Sequence, residues 1–185
     1  MAAIREAEAK EEDKQTEPVP FTVSFNSTQS KGIVFGSLAI GIMFAAIGLI
    51  ADIPLLILAA AAPLASAYWY YPMIETGRPQ LGANEDGLYV ERIGFIDWGA
   101  IRMTDVKRKK VRNVVEQIHL DVLLTRSMEA AVNKGQTTPL WKKYMMRNWK
   151  RTKREHGREL IAIDLRTLDA DPDEILTRIR AFKAV

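Results

Sequence analysis

The chain has 185 residues, 48% of them hydrophobic, with 26 Lys and Arg against 23 Asp and Glu, a formal net charge of +3 and no cysteine. The missing thiols exclude a disulfide framework and thiolate metal sites. A chain of this length has one modest core to build and little apolar surface left over to wrap two bare apolar helices.

The polar segment over residues 1–30 carries, with Lys31 counted, four basic and six acidic residues. It has no apolar stripe to dock, so the expectation is a disordered tail or a frayed solvent-exposed helix, ended by Pro18 and Pro20. Phe21 to Phe25 alternates, with Phe21, Val23 and Phe25 on one face. That suits a strand added to a sheet or a segment lying at a membrane surface.

Ile33 to Ile74 is a run of forty-two residues with one formal charge, Asp52. A hydrocarbon core about 30 Å thick takes roughly 20 helical residues, so the run holds two crossings. The break falls at Ala51-Asp52-Ile53-Pro54, where a carboxylate seeks water and a proline opens a helix at no cost in hydrogen bonds. The prediction is a transmembrane hairpin over 31–75, with spans at Ile33–Ile50 and Pro54–Ile74. Tyr68, Trp69, Tyr70 and Tyr71 suit the headgroup layer, and Pro63 is expected to kink the second span. A cleaved signal peptide at Ala65-Ser66-Ala67 is disfavoured by the polar residues ahead of the run and by its length. Lys31 and Arg78 flank the outer ends and the turn has no cation, so both termini are expected in the cytoplasm.

Small residues recur at three- and four-residue intervals in the first span: Gly32, Gly36, Gly41, Ala45 and Gly48. Such a face lets a second helix approach closely, either the other span or another integral membrane protein. No paired ionisable residues lie at membrane depth, which argues against a transporter or proton channel.

From Glu75 onward the composition is that of a soluble domain, with 22 basic and 16 acidic residues over 75–185. Asn84-Glu85-Asp86-Gly87 is a turn signal before a strand at Leu88–Arg92, and a bend at Gly94 leads to Phe95–Trp98, a hairpin pattern. The stretches Glu85-Asp86-Gly87-Leu88-Tyr89-Val90 and Phe95-Ile96-Asp97-Trp98-Gly99-Ala100-Ile101 resemble the opening of bacterial pleckstrin-homology-like domains that follow one or two membrane spans. Asp97 stands where that family usually has proline, and Gly99-Ala100 where it has acidic residues. The resemblance implies an α+β chain whose domain over 76–185 is a small, antiparallel, partly open β-barrel closed by a C-terminal helix, with Trp98 and Ile101 in the core.

Further strands are expected at Ile101–Val106, Val114–Leu124 and Leu160–Leu165, five in all against the family's seven, with a basic turn at Lys107–Arg112. In the longest, Ile118, Leu120, Val122 and Leu124 share a face opposite Gln117, His119 and Asp121. The last helix has an N-cap at Asp171, Pro172 in its first turn, Glu174 as capping-box partner, and a stripe of Ile175, Leu176, Ile179 and Phe182.

Ahead of the last strand, Leu160–Leu165, Thr138 and Pro139 predict an inserted basic amphipathic helix over about 138–156. Trp141, Tyr144, Met145, Asn148 and Trp149 would form one face, and Lys142, Lys143, Arg147, Lys150, Arg151 and Arg154 the other. Such a helix suits anionic headgroups of membrane lipids, each cation contributing about 1 kcal/mol near the surface. The same pattern suits an aromatic stripe packed on the barrel, or docking onto an acidic partner. The basic stretches also resemble a phosphate-binding footprint, but no nucleic-acid module is recognisable and none is expected to bind. His119 and His156 stand in no metal-ligand spacing, and no nucleophile elbow or phosphate-cradling glycine loop is present. The expectation is a protein without enzymatic activity or cofactor, acting as an accessory or scaffold subunit of an inner-membrane complex, or as an autonomous lipid-sensing domain.

Overall fold

The computed structural model describes residues 18–75, 77–111, 115–154 and 157–183. The readings made for residues 1–17, for Thr76, for Arg112 to Val114, and for Glu155 and His156 lie outside these.

Two apolar helices pair antiparallel: α1 over Ser27–Ile50, which begins ahead of the expected Ile33, and α2 over Pro54–Tyr70, which continues through Pro63 into a 3-10 turn at Tyr71–Ile74. The break lies where the charge and the proline put it. Ile53 N–H donates to the Gly48 carbonyl at 2.8 Å while Asp52 adopts φ 55, the left-handed conformation that closes a helix C-terminus and that Asp tolerates better than most residues. The helices meet through small residues. A Cβ at Gly48 would stand 2.8 Å from Ile57 Cγ1 and 2.9 Å from Ile57 N, and one at Gly41 2.7 Å from Leu64 Cγ. Both helices are long and apolar enough to span a membrane, yet only 17% and 11% of their most apolar stretches are buried within the protein.

The domain is two antiparallel sheets with a single core between them. In the first, β1 (Phe21–Val23), β2 (Leu81–Asn84), β3 (Gly87–Val90), β4 (Gly94–Ile96) and β7 (Val132–Gly135) lie in that order. In the second the order is β5 (Ile101–Val111), β6 (Val115–Leu124), β9 (Glu159–Asp164) and β8 (Trp149–Lys153). Leu81, Leu88 and Ile96 of the first face Leu120, Val122, Ile161 and Ile163 of the second, all fully buried. The alternation expected of β6 holds, and Asp121 on its other face pairs with Lys107 at 2.6 Å. The C-terminal helix α3 (Pro172–Phe182) closes the core with Ile175 and Ile179; the Asp171 carboxylate accepts from the Asp173 and Glu174 amides. Trp98 is half-buried, donates from Nε1 to the Asn84 carbonyl at 2.9 Å and stacks on Phe182, while Ile101 is buried.

Four expectations are corrected. The domain is a pair of open sheets and not a barrel: the 3-10 turn Trp98–Ala100 carries the chain from one sheet to the other, and among the described residues no strand of one pairs with a strand of the other. After the hairpin the described residues hold eight strands, not five, and β1 makes a ninth ahead of it. Phe21–Val23 adds to a sheet, pairing with β2, and the basic run continues β5 as strand to Val111. The inserted helix over 138–156 does not form. Its first part is a 3-10 turn at Leu140–Lys142, Pro139 being extended at φ −57 and ψ 146, and its last part is β8, hydrogen-bonded to β9. The backbone of β9 would lack partners on that side without β8, and a core position for Trp149 secures the strand. Those demands outweigh a helical pattern read over so short a window.

Candidate functional site

The chain between β7 and β8, residues 136–148, crosses from the edge of one sheet to the edge of the other and passes the foot of the helical hairpin on the way. It is staked down at several points. The Tyr68 hydroxyl donates to the Trp141 carbonyl at 2.5 Å, and Met146 N–H donates to the Trp69 carbonyl at 3.0 Å. Arg92 contributes two further bonds, from its terminal nitrogens to the Met145 and Met146 carbonyls at 3.1 and 2.8 Å. Arg92 itself sits at φ 67, a costly backbone conformation held by its amide donating to Gln136 Oε1 at 2.6 Å. Lys142 folds inward, 2% exposed, and pairs with Glu75 just past the hairpin.

This anchoring sorts the predicted contact residues into two groups. Trp141 and Tyr144 are exposed, 50% and 71%, together with Leu140 at 81%, and Trp141 lies edge-on to Tyr71 with centroids 6.4 Å apart. Lys143, Arg147, Lys150 and Arg154 are exposed as well. Lys142, Trp149 and Arg151 belong to the interior side. Trp149 donates from Nε1 to the Glu91 carbonyl at 2.9 Å, with the Arg147 guanidinium 5.1 Å over its ring. Arg151 is clamped by Glu159 and Glu129, each at 2.6 Å. A notch of about 420 Å³ between hairpin and crossover segment is lined by Val34, Leu38, Leu64, Tyr68, Trp141 and Met145, almost all apolar surface.

The small residues of α1 divide too. Gly41 and Gly48 face α2 and Ala45 is half-buried, whereas a Cβ at Gly32 or Gly36 would meet nothing within 4 Å.

Burial pushes the Glu91 carboxyl above its ordinary value, against the pull of Arg92, 3.1 Å away, and Lys142. The Arg151 guanidinium holds Glu159 below the ordinary carboxylate range. At Asp164 burial acts upward, but Arg166 brings the net shift down. No group of three or more His, Cys, Asp or Glu that could hold a metal ion comes together among the described residues. Asp121, read as sharing a face with His119, is taken by Lys107.

Glu75, Arg92 and Leu140 were not legible as site residues. Glu75 had a signal, as the first acid after the apolar run; Arg92 had none, because its role comes from a turn conformation. Comparison with family models, curated proteins and solved structures yields no match.

Proposed function

We propose that the chain is a non-catalytic, membrane-anchored interaction protein whose hairpin crosses the cytoplasmic membrane twice, and that it serves as an accessory or assembly subunit of a larger inner-membrane complex. The observation that carries this reading is the division of α1: Gly41 and Gly48 are used inside the hairpin, while Gly32 and Gly36 leave an open surface beside exposed Ile33 and Phe35. Small residues on a lipid-facing helix let a partner helix come close. Both hairpin ends meet the same sheet, since β1 just before α1 pairs with β2 just after α2, which supports placing both termini on one side. With Lys31 and Arg78 there, that side is the cytoplasm. The pleckstrin-homology-like kinship belongs to this proposal and is supported by the Asn84–Gly87 turn and the packed Trp98.

The test is purification of the full chain in mild detergent from native membranes. A stoichiometric integral membrane partner is expected to accompany it and to be lost on Gly36→Leu, with the variant still in the membrane fraction. A wild-type chain monodisperse in buffer without detergent would refute the anchoring, and a Gly36→Leu chain that keeps its partner would refute the interface.

A second reading, sensing of anionic lipid, is favoured by one observation: Leu140, Trp141 and Tyr144 are exposed together beside Tyr68, Trp69 and Tyr71, with Lys143 and Arg147 in the same segment. Reconstituted into vesicles, Lys143 is then expected to be shielded from an amine reagent by anionic lipid, and to be freed by salt.

A further inference from the structure

The long strands β5 and β6 outrun the sheet they belong to. β6 pairs with β9 only from His119, opposite Asp164, to Leu124, with one further bond from Leu165 N–H to the Ile118 carbonyl at 3.0 Å. Beyond that level β5 and β6 have only each other, with Lys109 opposite Gln117 and Val111 opposite Val115. At about 3.3 Å per residue this is a two-stranded arm roughly 10 Å long. It continues the direction in which β9 ends, and β9 ends at the foot of the hairpin. Asp164 and Arg166 share a cavity with Ile33 and Tyr70, and Asn26 N–H, one residue ahead of α1, donates to the Thr167 carbonyl at 2.9 Å. The other end of that sheet, at Lys153 and Glu159, lines neither cavity at the hairpin. Strands rising toward a bilayer would carry the arm into the headgroups, and strands lying flat beneath one would keep it within about a Debye length, ~8–10 Å, of them. Either tilt leaves the arm in electrostatic reach of the surface.

The charge suits that position. From Lys107 to Glu116 the sequence has five cations and one acid. Lys107, Arg108 and Lys109 are exposed. Lys107 pairs with Asp121 and Arg108 with Asp173, both at 2.6 Å, but ion pairs at an exposed surface are too weak to keep a cation from phosphate oxygens. Lys109 forms no ion pair among the described residues. We propose that this arm is an electrostatic contact for the anionic headgroups of the cytoplasmic leaflet, made through Lys107, Arg108 and Lys109. A nucleic acid would satisfy the same charges, but the arm's place beside the hairpin foot favours the lipid. The inference rests on the membrane reading above and uses a segment distinct from Gly36 and from Trp141.

The chain has no cysteine, so one placed at Gln117, opposite Lys109, labels the arm without removing a charge. The full chain bearing Gln117→Cys and a fluorescent donor is embedded in nanodiscs of phosphatidylcholine and phosphatidylglycerol, with a trace of acceptor on one lipid or the other. Energy transfer is expected to favour labelled phosphatidylglycerol by about threefold or more at low salt, since each cation near an anionic surface strengthens the attraction about fivefold, and to reach parity at high salt. In the same background Lys109→Glu should cut the preference at least in half, and Lys109→Arg should keep it. A donor at Lys153→Cys, on the far end of β8, should show none. Equal transfer to both lipids at low salt overturns the proposal, as does a preference that Lys109→Glu leaves intact. A short DNA duplex that the embedded chain binds through Lys109, with no lipid preference, would assign the run to nucleic acid and overturn it too. A chain that does not enter the discs overturns the anchoring and the arm together, whereas an embedded chain without the preference overturns the arm alone.

Discussion

The hairpin and the β-domain solve opposite packing problems with similar residues. In the domain, Leu81, Leu88, Leu120 and Ile163 are wholly buried and charge lies outside; in the hairpin, Phe35, Ile42, Leu49, Ile50, Leu55 and Leu58 are 54–88% exposed. At ~25 cal/mol per Å² of apolar surface, such exposure in water would be a heavy penalty. The hairpin contacts itself through glycine and leaves its bulk outward, which is how helices pack where the surroundings are as apolar as leucine. The same kinds of side chain are core in one region and outer surface in the other.

The largest effects should show the contrast within the crossover segment. Trp149→Ala, at a core position, is expected to cost about 3–5 kcal/mol in chemical unfolding of the domain. Trp141→Ala, exposed, should change it by less than about 0.5 kcal/mol. Equal costs would mean the two tryptophans are not on different sides of the segment.

Next comes Glu159, 4% exposed and held by Arg151 and the Met128 amide. Glu159→Gln should cost about 1.5–3 kcal/mol at neutral pH. Its folded pKa is depressed, so the stability it contributes is present above the ordinary value of 4.5 and is lost as pH falls through the lower folded value. The difference between variant and wild type should therefore shrink in that acid window. Glu91 works in the opposite direction: its raised pKa means that stability falls as pH rises from the ordinary carboxylate value through the folded one. Parallel pH profiles for wild type and Glu159→Gln would contradict the ion pair.

Within the hairpin, Gly48→Val drives a methyl-bearing carbon into the Ile57 backbone and should cost about 1–3 kcal/mol in detergent unfolding. Gly36→Val should stay within about 0.5 kcal/mol, its surroundings being open. Asp171→Ala, removing the cap of α3, should cost about 1 kcal/mol in thermal unfolding of the domain.

The sequence made the hairpin and the last helix legible because their signals are local. A charge and a proline mark the turn at Asp52 and Pro54, and a cap and a stripe mark Pro172–Phe182. The strands β2, β7 and β8 were hidden because their pairing is not local: Leu81 needs Val23 before it and Val90 after it, and Trp149–Lys153 is strand only because β9 offers it an edge. The site was half legible. Trp141 and Tyr144 are surface residues as expected, but Lys142 and Arg151 turn inward because Glu75 and Glu159, remote in sequence, are there to receive them.

The pairing of Phe21–Val23 with Leu81–Ala83 has a consequence for biosynthesis. The strand leaves the ribosome well before the one it must join, and most of what is made in between is the apolar hairpin. The sheet therefore cannot be finished until the hairpin has found its place, and afterwards it acts as a clasp across the hairpin's open end. A chain cut just after the second helix would release a domain short of one strand, so the β-domain cannot be separated from the hairpin without being unstitched.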